Sequence, residues 1–119
     1  MRPFEGREPL VYRIVFRFFV DANHMPTPLS PAQITAELYA LGGWQYENQT
    51  LRKTFQFAGF REAMAAVVRI AFEAEAFGHH PEIHLVWDRL TLTLCTHEAG
   101  NQVTDLDVVL ALRIEAVLS

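Results

Sequence analysis

Between Ala58 and Phe77 the apolar residues recur at helical spacing, and a pair of strand-like segments flanks that stretch on each side. At about 100° per residue, Phe60, Ala63, Met64, Val67, Ile70, Ala71, Ala74 and Phe77 share one face, which predicts a long central helix. Trp44 to Glu47 and Thr50 to Phe57 read as two strands joined at Asn48-Gln49, and Ile83 to Trp87 and Arg89 to Thr96 as two more. Connections this short join antiparallel neighbours, so an all-parallel sheet is excluded. Ser30-Pro31-Ala32-Gln33 has the cap serine, first-turn proline and third-position glutamine that open a helix, which Gly42-Gly43 is expected to close. Thr104 is expected to cap a last helix with Asp105 and Asp107 in its first turn and an apolar stripe of Leu106, Val109, Leu110, Ile114 and Val117. The order is helix, two strands, helix, two strands, helix. It predicts an α+β fold in which one four-stranded antiparallel sheet carries three helices on one face. The other face is left for a ligand or a second subunit.

A chain of 119 residues, half of them hydrophobic, supports one domain with one modest core. The first 24 residues differ from the rest, because Leu10 to Val20 is strongly apolar yet broken by Arg13 and Arg17. That segment lacks the uninterrupted apolar stretch of a secretory signal and the serine-rich composition of a mitochondrial one. Two readings stay open: an extension or upstream start, with Met25 able to initiate translation, or an extra edge strand. The expected division is an extension and proline-spaced linker over 1–28 and a domain over 29–119. No apolar run reaches the roughly 18 residues of a membrane helix, and the lone Cys95 allows no intrachain disulfide. A soluble cytoplasmic protein is expected. Beyond Met25 the bases Arg52, Lys53, Arg61, Arg69, Arg89 and Arg113 are scattered and outnumbered by carboxylates. No stripe follows a phosphate backbone, which argues against direct nucleic-acid binding.

The chemistry-bearing residues lie at the junctions of these elements. His79-His80-Pro81 follows the central helix, and His97 follows the last strand. In that strand Leu90, Leu92 and Leu94 take one face, while Thr91, Thr93, Cys95 and, if the strand runs on, His97 take the other. Histidine titrates near neutrality, so a cluster can supply both an acid and a base. Adjacent residues on extended backbone point to opposite sides, whereas zinc needs ligands converging within about 2.1 Å of one point; a metal site is therefore not expected. Histidines merely hydrogen-bonded at a helix-to-strand corner remain the plainer reading of the pair alone. Glu75 falls roughly 20° from Met64 around the helix, at the border of the expected buried face. It is either a partly buried functional group or a side chain bent out to water.

Taken together, Glu75-x-x-x-His79-His80-Pro81-Glu82, Val86-Trp87 and Thr93-Leu94-Cys95-Thr96-His97-Glu98 resemble the signature of the pterin-4a-carbinolamine dehydratases. The resemblance runs from about Leu29 to the C-terminus and takes in Gly43-Trp44 and Phe55 to Phe60. It implies an α+β fold assembled as a homodimer or homotetramer. The implied reaction is the dehydration of 4a-hydroxytetrahydrobiopterin, the pterin released by aromatic amino-acid hydroxylases, to quinonoid dihydrobiopterin and water. No cofactor or metal is implied. By residue, the resemblance makes His79 the main acid/base, gives His80 substrate positioning and has His97 assist at the hydroxyl. Glu75 would hold the histidines, with Pro81 between them and the next strand; Trp44 would wall the pocket with an aromatic face suited to a flat pterin. Three positions depart from the family's pattern: Gly78 where an aspartate is frequent, Ile83 where an aromatic is common, and a loop after His97 one residue longer. Matching Asp107 to the family's acid on the last helix depends on where that extra residue falls. The competing reading is a non-catalytic protein-binding module on the same fold, a dimerisation cofactor in transcription or an assembly factor.

Overall fold

Ser30 starts the first helix through a reciprocal pair of bonds. Its Oγ accepts the Gln33 amide N–H at 3.2 Å, and Gln33 Oε1 accepts the Ser30 amide N–H at 2.8 Å. Pro31, with no N–H to leave unpaired, takes the first turn. The computed structural model describes residues 26–119; the extension expected over 1–24 lies outside the described residues. Helix α1 spans Pro31–Leu38 and stops short of the glycine pair. The amides of Ala40 and Leu41 both return to the Glu37 carbonyl, at 3.0 and 3.2 Å, in a turn that delivers Leu41 and Trp44 to the core.

Strands β1 (Gln45–Glu47) and β2 (Thr50–Gln56) follow, then helix α2 (Phe60–Phe77), strands β3 (Glu82–Val86) and β4 (Arg89–Leu94), a 3-10 turn over His97–Ala99 and helix α3 (Asp105–Leu118). The sheet order is β1-β2-β4-β3, antiparallel throughout, as the short connections require. Glu47 pairs with Thr50, leaving Asn48 and Gln49 as a two-residue loop. Their φ angles of 51° and 62° are both left-handed, the condition of a type I′ hairpin turn.

Period two decides which face is buried. Leu90, Leu92 and Leu94 of β4 and Leu51 of β2 are sealed against Ile34 of α1, Ile70 and Ala74 of α2, and Leu110 and Ile114 of α3. All three helices therefore cover the leucine face, each large side chain there contributing about 1.5–3 kcal/mol. Paired across the open face are polar residues such as Arg52 with Thr93, Thr93 with Glu82, and Thr91 with His84.

Helix α2 meets the sheet on a face rotated from the expected one. The buried positions are Ala63, Ala66, Ile70 and Ala74, whereas Phe60, Met64, Val68 and Phe72 form a second stripe open to solvent. The helix is apolar on two sides. Small residues let it lie close to its neighbours, so the alanine side packs and the larger side chains turn outward. Glu73, expected on the solvent side, is instead half-buried and accepts a bond from Arg113 of α3 at 3.0 Å. No helix among the described residues is long and apolar enough to cross a membrane.

Candidate active site

Gly78 ends α2 with φ 78°, its N–H bonded to the Ala74 carbonyl at 2.9 Å. A left-handed residue at that point reverses the chain direction within one residue and suits glycine. Gly78 is thus where the chain leaves the helix, and His79 turns straight inward. Its amide also reaches the Ala74 carbonyl, at 3.2 Å, and its side chain is buried.

Behind His79 stands Asp107 at the third position of α3, fully buried. Thr104 starts this helix as expected, its Oγ1 accepting the Leu106 amide at 3.2 Å while its own amide donates to Asp107 Oδ2 at 2.9 Å. Thr96 Oγ1 donates to the same Oδ2 at 2.8 Å and contacts Thr104 Oγ1 at 2.7 Å. The other carboxylate oxygen, Oδ1, lies 2.6 Å from His79 Nε2. A carboxylate withdrawn from water must be met by donors, and this one is met by an amide, a hydroxyl and an imidazole at the positive end of a helix. With Nε2 turned to Asp107, the ring's Nδ1 is left without a hydrogen bond among the described residues.

His80, exposed, faces outward, its Nε2 3.4 Å from Glu75 Oε1. The Glu75 side chain is itself 76% exposed. Glu75 is therefore not at a core margin, because Met64, the residue it lies beside, faces solvent too. The acid that grips a buried histidine is Asp107. His97 does not continue the strand: β4 ends at Leu94 and His97 opens the 3-10 turn. Its Nδ1 lies 2.6 Å from Asn101 Oδ1.

These histidines meet in one cleft of about 420 Å³, within the range of small-ligand pockets. His79, His80 and His97 line it together with Pro81, Glu82 and Cys95. Burial, the Asp107 carboxylate and then Glu82 push the Cys95 thiol above its ordinary value, so it presents a neutral S–H to the cleft. Trp44 is not in this wall. Gly43, at φ 86°, turns the indole into the core, where Nε1 donates to Glu115 Oε1 at 2.8 Å and the ring meets Phe55 edge-on at 6.3 Å. Among the described residues, no three of His, Cys, Asp or Glu converge as metal ligands would. Sequence reasoning passed over Thr96 as a carboxylate donor and Asn101 as a histidine partner. Both contacts depend on how the loop folds back, although the spacing of Thr96, Thr104 and Asp107 around one capping position was there to be read.

The arrangement offers three imidazoles, each partnered at one ring nitrogen, around a space the size of a small flat ligand. Known proteins place it in a family. The family described as Pterin 4 alpha carbinolamine dehydratase matches residues 27–117. A protein of Opitutus terrae named "Putative pterin-4-alpha-carbinolamine dehydratase" is 53% identical over 78% of this chain and 96% of its own length. One of Roseiflexus sp. with the same name is 46% identical over 79% of this chain and 100% of its own. The crystal structure of a transcriptional coactivator/pterin dehydratase from Brucella melitensis superposes with a TM-score of 0.73 at 32% identity, over 78% of this chain and all of that one. A pterin dehydratase-like protein described as a RuBisCO assembly factor in the alpha-carboxysome shares the fold, with a TM-score of 0.56 at 22% identity over 66% of this chain and 92% of its own. With matches spanning the whole described fold and a buried histidine backed by a carboxylate at its centre, the chain belongs to the pterin-4-alpha-carbinolamine dehydratase family, a family of hydro-lyases.

Proposed function

We propose that this chain dehydrates 4a-hydroxytetrahydrobiopterin, using residues 29–119 as the catalytic domain. In that reaction the C4a–O bond breaks, the leaving oxygen takes a proton and departs as water, and N5 gives up its proton to leave quinonoid dihydrobiopterin. One acid and one base must therefore face the same small ring. His79 is the main proton-transfer group, oriented by Asp107; His97 assists at the hydroxyl, and exposed His80 positions the substrate. Glu75 supports His80, and Pro81 shapes the corner between them and β3. The observation that carries this reading is the His79–Asp107 contact of 2.6 Å at the wall of a cleft shared with His97. The reaction would follow an aromatic amino-acid hydroxylase in the cytoplasm, where a lone thiol stays reduced.

The direct test is dehydration of freshly generated 4a-hydroxytetrahydrobiopterin by purified full-length protein, before and after chelation. Turnover that persists with EDTA is the expected result; turnover that vanishes and returns with stoichiometric zinc would replace the acid/base assignment with a metal mechanism. A second reading, a protein-binding module, draws on the solvent-facing stripe of Phe60, Met64, Val68 and Phe72. It would be preferred if the folded protein showed no turnover at all.

A further inference from the structure

We propose that Asn101 is a positioning residue that fixes the tautomer of His97, so that two of the three imidazoles lining the cleft exchange protons through opposite nitrogens, His79 through Nδ1 and His97 through Nε2. The proposal rests on the dehydratase reading for its purpose, though not for its geometry.

The argument begins with the loop after β4. Thr96 N–H bonds to the Gln102 carbonyl at 2.9 Å, the Asn101 amide returns to the Thr96 carbonyl at 3.0 Å, and the Gly100 amide reaches the His97 carbonyl at 3.0 Å. Gly100 and Asn101 close the loop with consecutive left-handed φ angles of 76° and 59°. Asparagine is one of the few residues with a side chain that adopts this conformation readily. The backbone around Asn101 is thus tied to Thr96 and to His97 itself, and its Oδ1 comes to 2.6 Å from His97 Nδ1. An amide oxygen only accepts, so Nδ1 must carry the proton. In the neutral ring Nε2 is then bare; in the imidazolium the same bond persists and Nε2 carries the second proton. Either way Nε2 alone changes state. At His79 the order is inverted, because Nε2 faces the Asp107 carboxylate.

The test uses full-length protein labelled with ¹⁵N at histidine, as parent, Asn101→Gly and Asn101→Asp, with His97 assigned through a His97→Gln spectrum. Glycine keeps the left-handed backbone and removes the acceptor; aspartate restores an oxygen acceptor. Long-range ¹H–¹⁵N correlations should show neutral His97 protonated at Nδ1 in the parent and in Asn101→Asp, and a loss of that tautomer in Asn101→Gly. The kcat for dehydration should fall about fivefold in Asn101→Gly, the rate equivalent of one hydrogen bond, with KM little changed and recovery in Asn101→Asp. An Nε2-protonated parent, a spectrum unchanged by Asn101→Gly, or an unaltered kcat in that variant would each overturn the proposal. A parent protein without turnover would instead sink the dehydration reading, and the spectra would still decide the tautomer.

Discussion

His79 and Asp107 illustrate how much rests on a single contact. Removing the proton-transfer group should cost far more in turnover than removing a group that only holds substrate. His79→Ala should lower kcat by roughly 10²-fold or more, within the usual reach of general acid-base catalysis, whereas His80→Ala should act mainly on KM. Steady-state kinetics on variants checked by circular dichroism would settle it; a folded His79→Ala protein at the parent rate would end the histidine mechanism. Asp107 also carries stability, since its loss leaves a Thr104 amide, a Thr96 hydroxyl and a His79 ring nitrogen without their acceptor. Asp107→Ala should destabilise by about 3 kcal/mol, read from urea midpoints, and Asp107→Asn by less, since the shape and one oxygen remain. Cys95 gives a pH signature. Its folded-state value is raised above that of an ordinary thiol, chiefly by burial and then by Asp107 and Glu82. The folded protein therefore holds that proton more tightly than the unfolded chain, and the associated stability is present below the unfolded value and lost as pH rises through the folded one. Compared with Cys95→Ala, the parent should lose stability from about pH 9 upward, as denaturation midpoints between about pH 8 and pH 11 would show. Parallel curves for the two proteins would contradict it.

At the scale of elements, the ends of the helices govern the site more than their lengths do. The α2 terminus at Gly78 and the α3 start at Thr104 bring His79 and Asp107 together from two helices packed on the same face of the sheet. A Cβ on Gly78 would meet nothing within 4 Å, so the demand on that residue is one of backbone angle alone. Gly78→Ala should therefore cost about 1–2 kcal/mol, the penalty for holding a side-chain-bearing residue left-handed. Thermal melts would measure it, and an unchanged Tm would show that the helix end relaxes without strain.

For the whole molecule, the apolar stripe of α2 and the edges of the sheet bear on assembly. Among the described residues, strands β1 and β3 lie at the two edges, and Phe72 is 74% exposed on the helix side. Unpaired edges and exposed aromatic residues are commonly protected by association. We expect a homodimer or homotetramer, and light scattering at micromolar concentration should report a mass that is a multiple of the 13.6 kDa chain. A strictly monomeric mass would remove that expectation and leave the cleft chemistry untouched.

The alternation of Leu90, Leu92 and Leu94, the tight turn at Asn48-Gln49 and the caps at Ser30 and Thr104 are local signals, and each led to the element it announced. Their sum determined an antiparallel four-stranded sheet with helices on one face, because short connections and period-two burial leave few alternatives. The paired histidines were legible for the same reason, being contiguous in the chain. What the tertiary structure decided was every choice between equivalent faces and distant partners. Helix α2 is apolar on two sides, so only packing could send Glu75 to solvent and Glu73 toward Arg113. Trp44 reads equally well as pocket wall or core until Glu115, far along the chain, claims its indole N–H. The selection of Asp107 as the partner of His79, and of Asn101 as that of His97, depends on where α3 docks and how one loop closes, and long-range geometry of that kind leaves no periodic trace in a sequence.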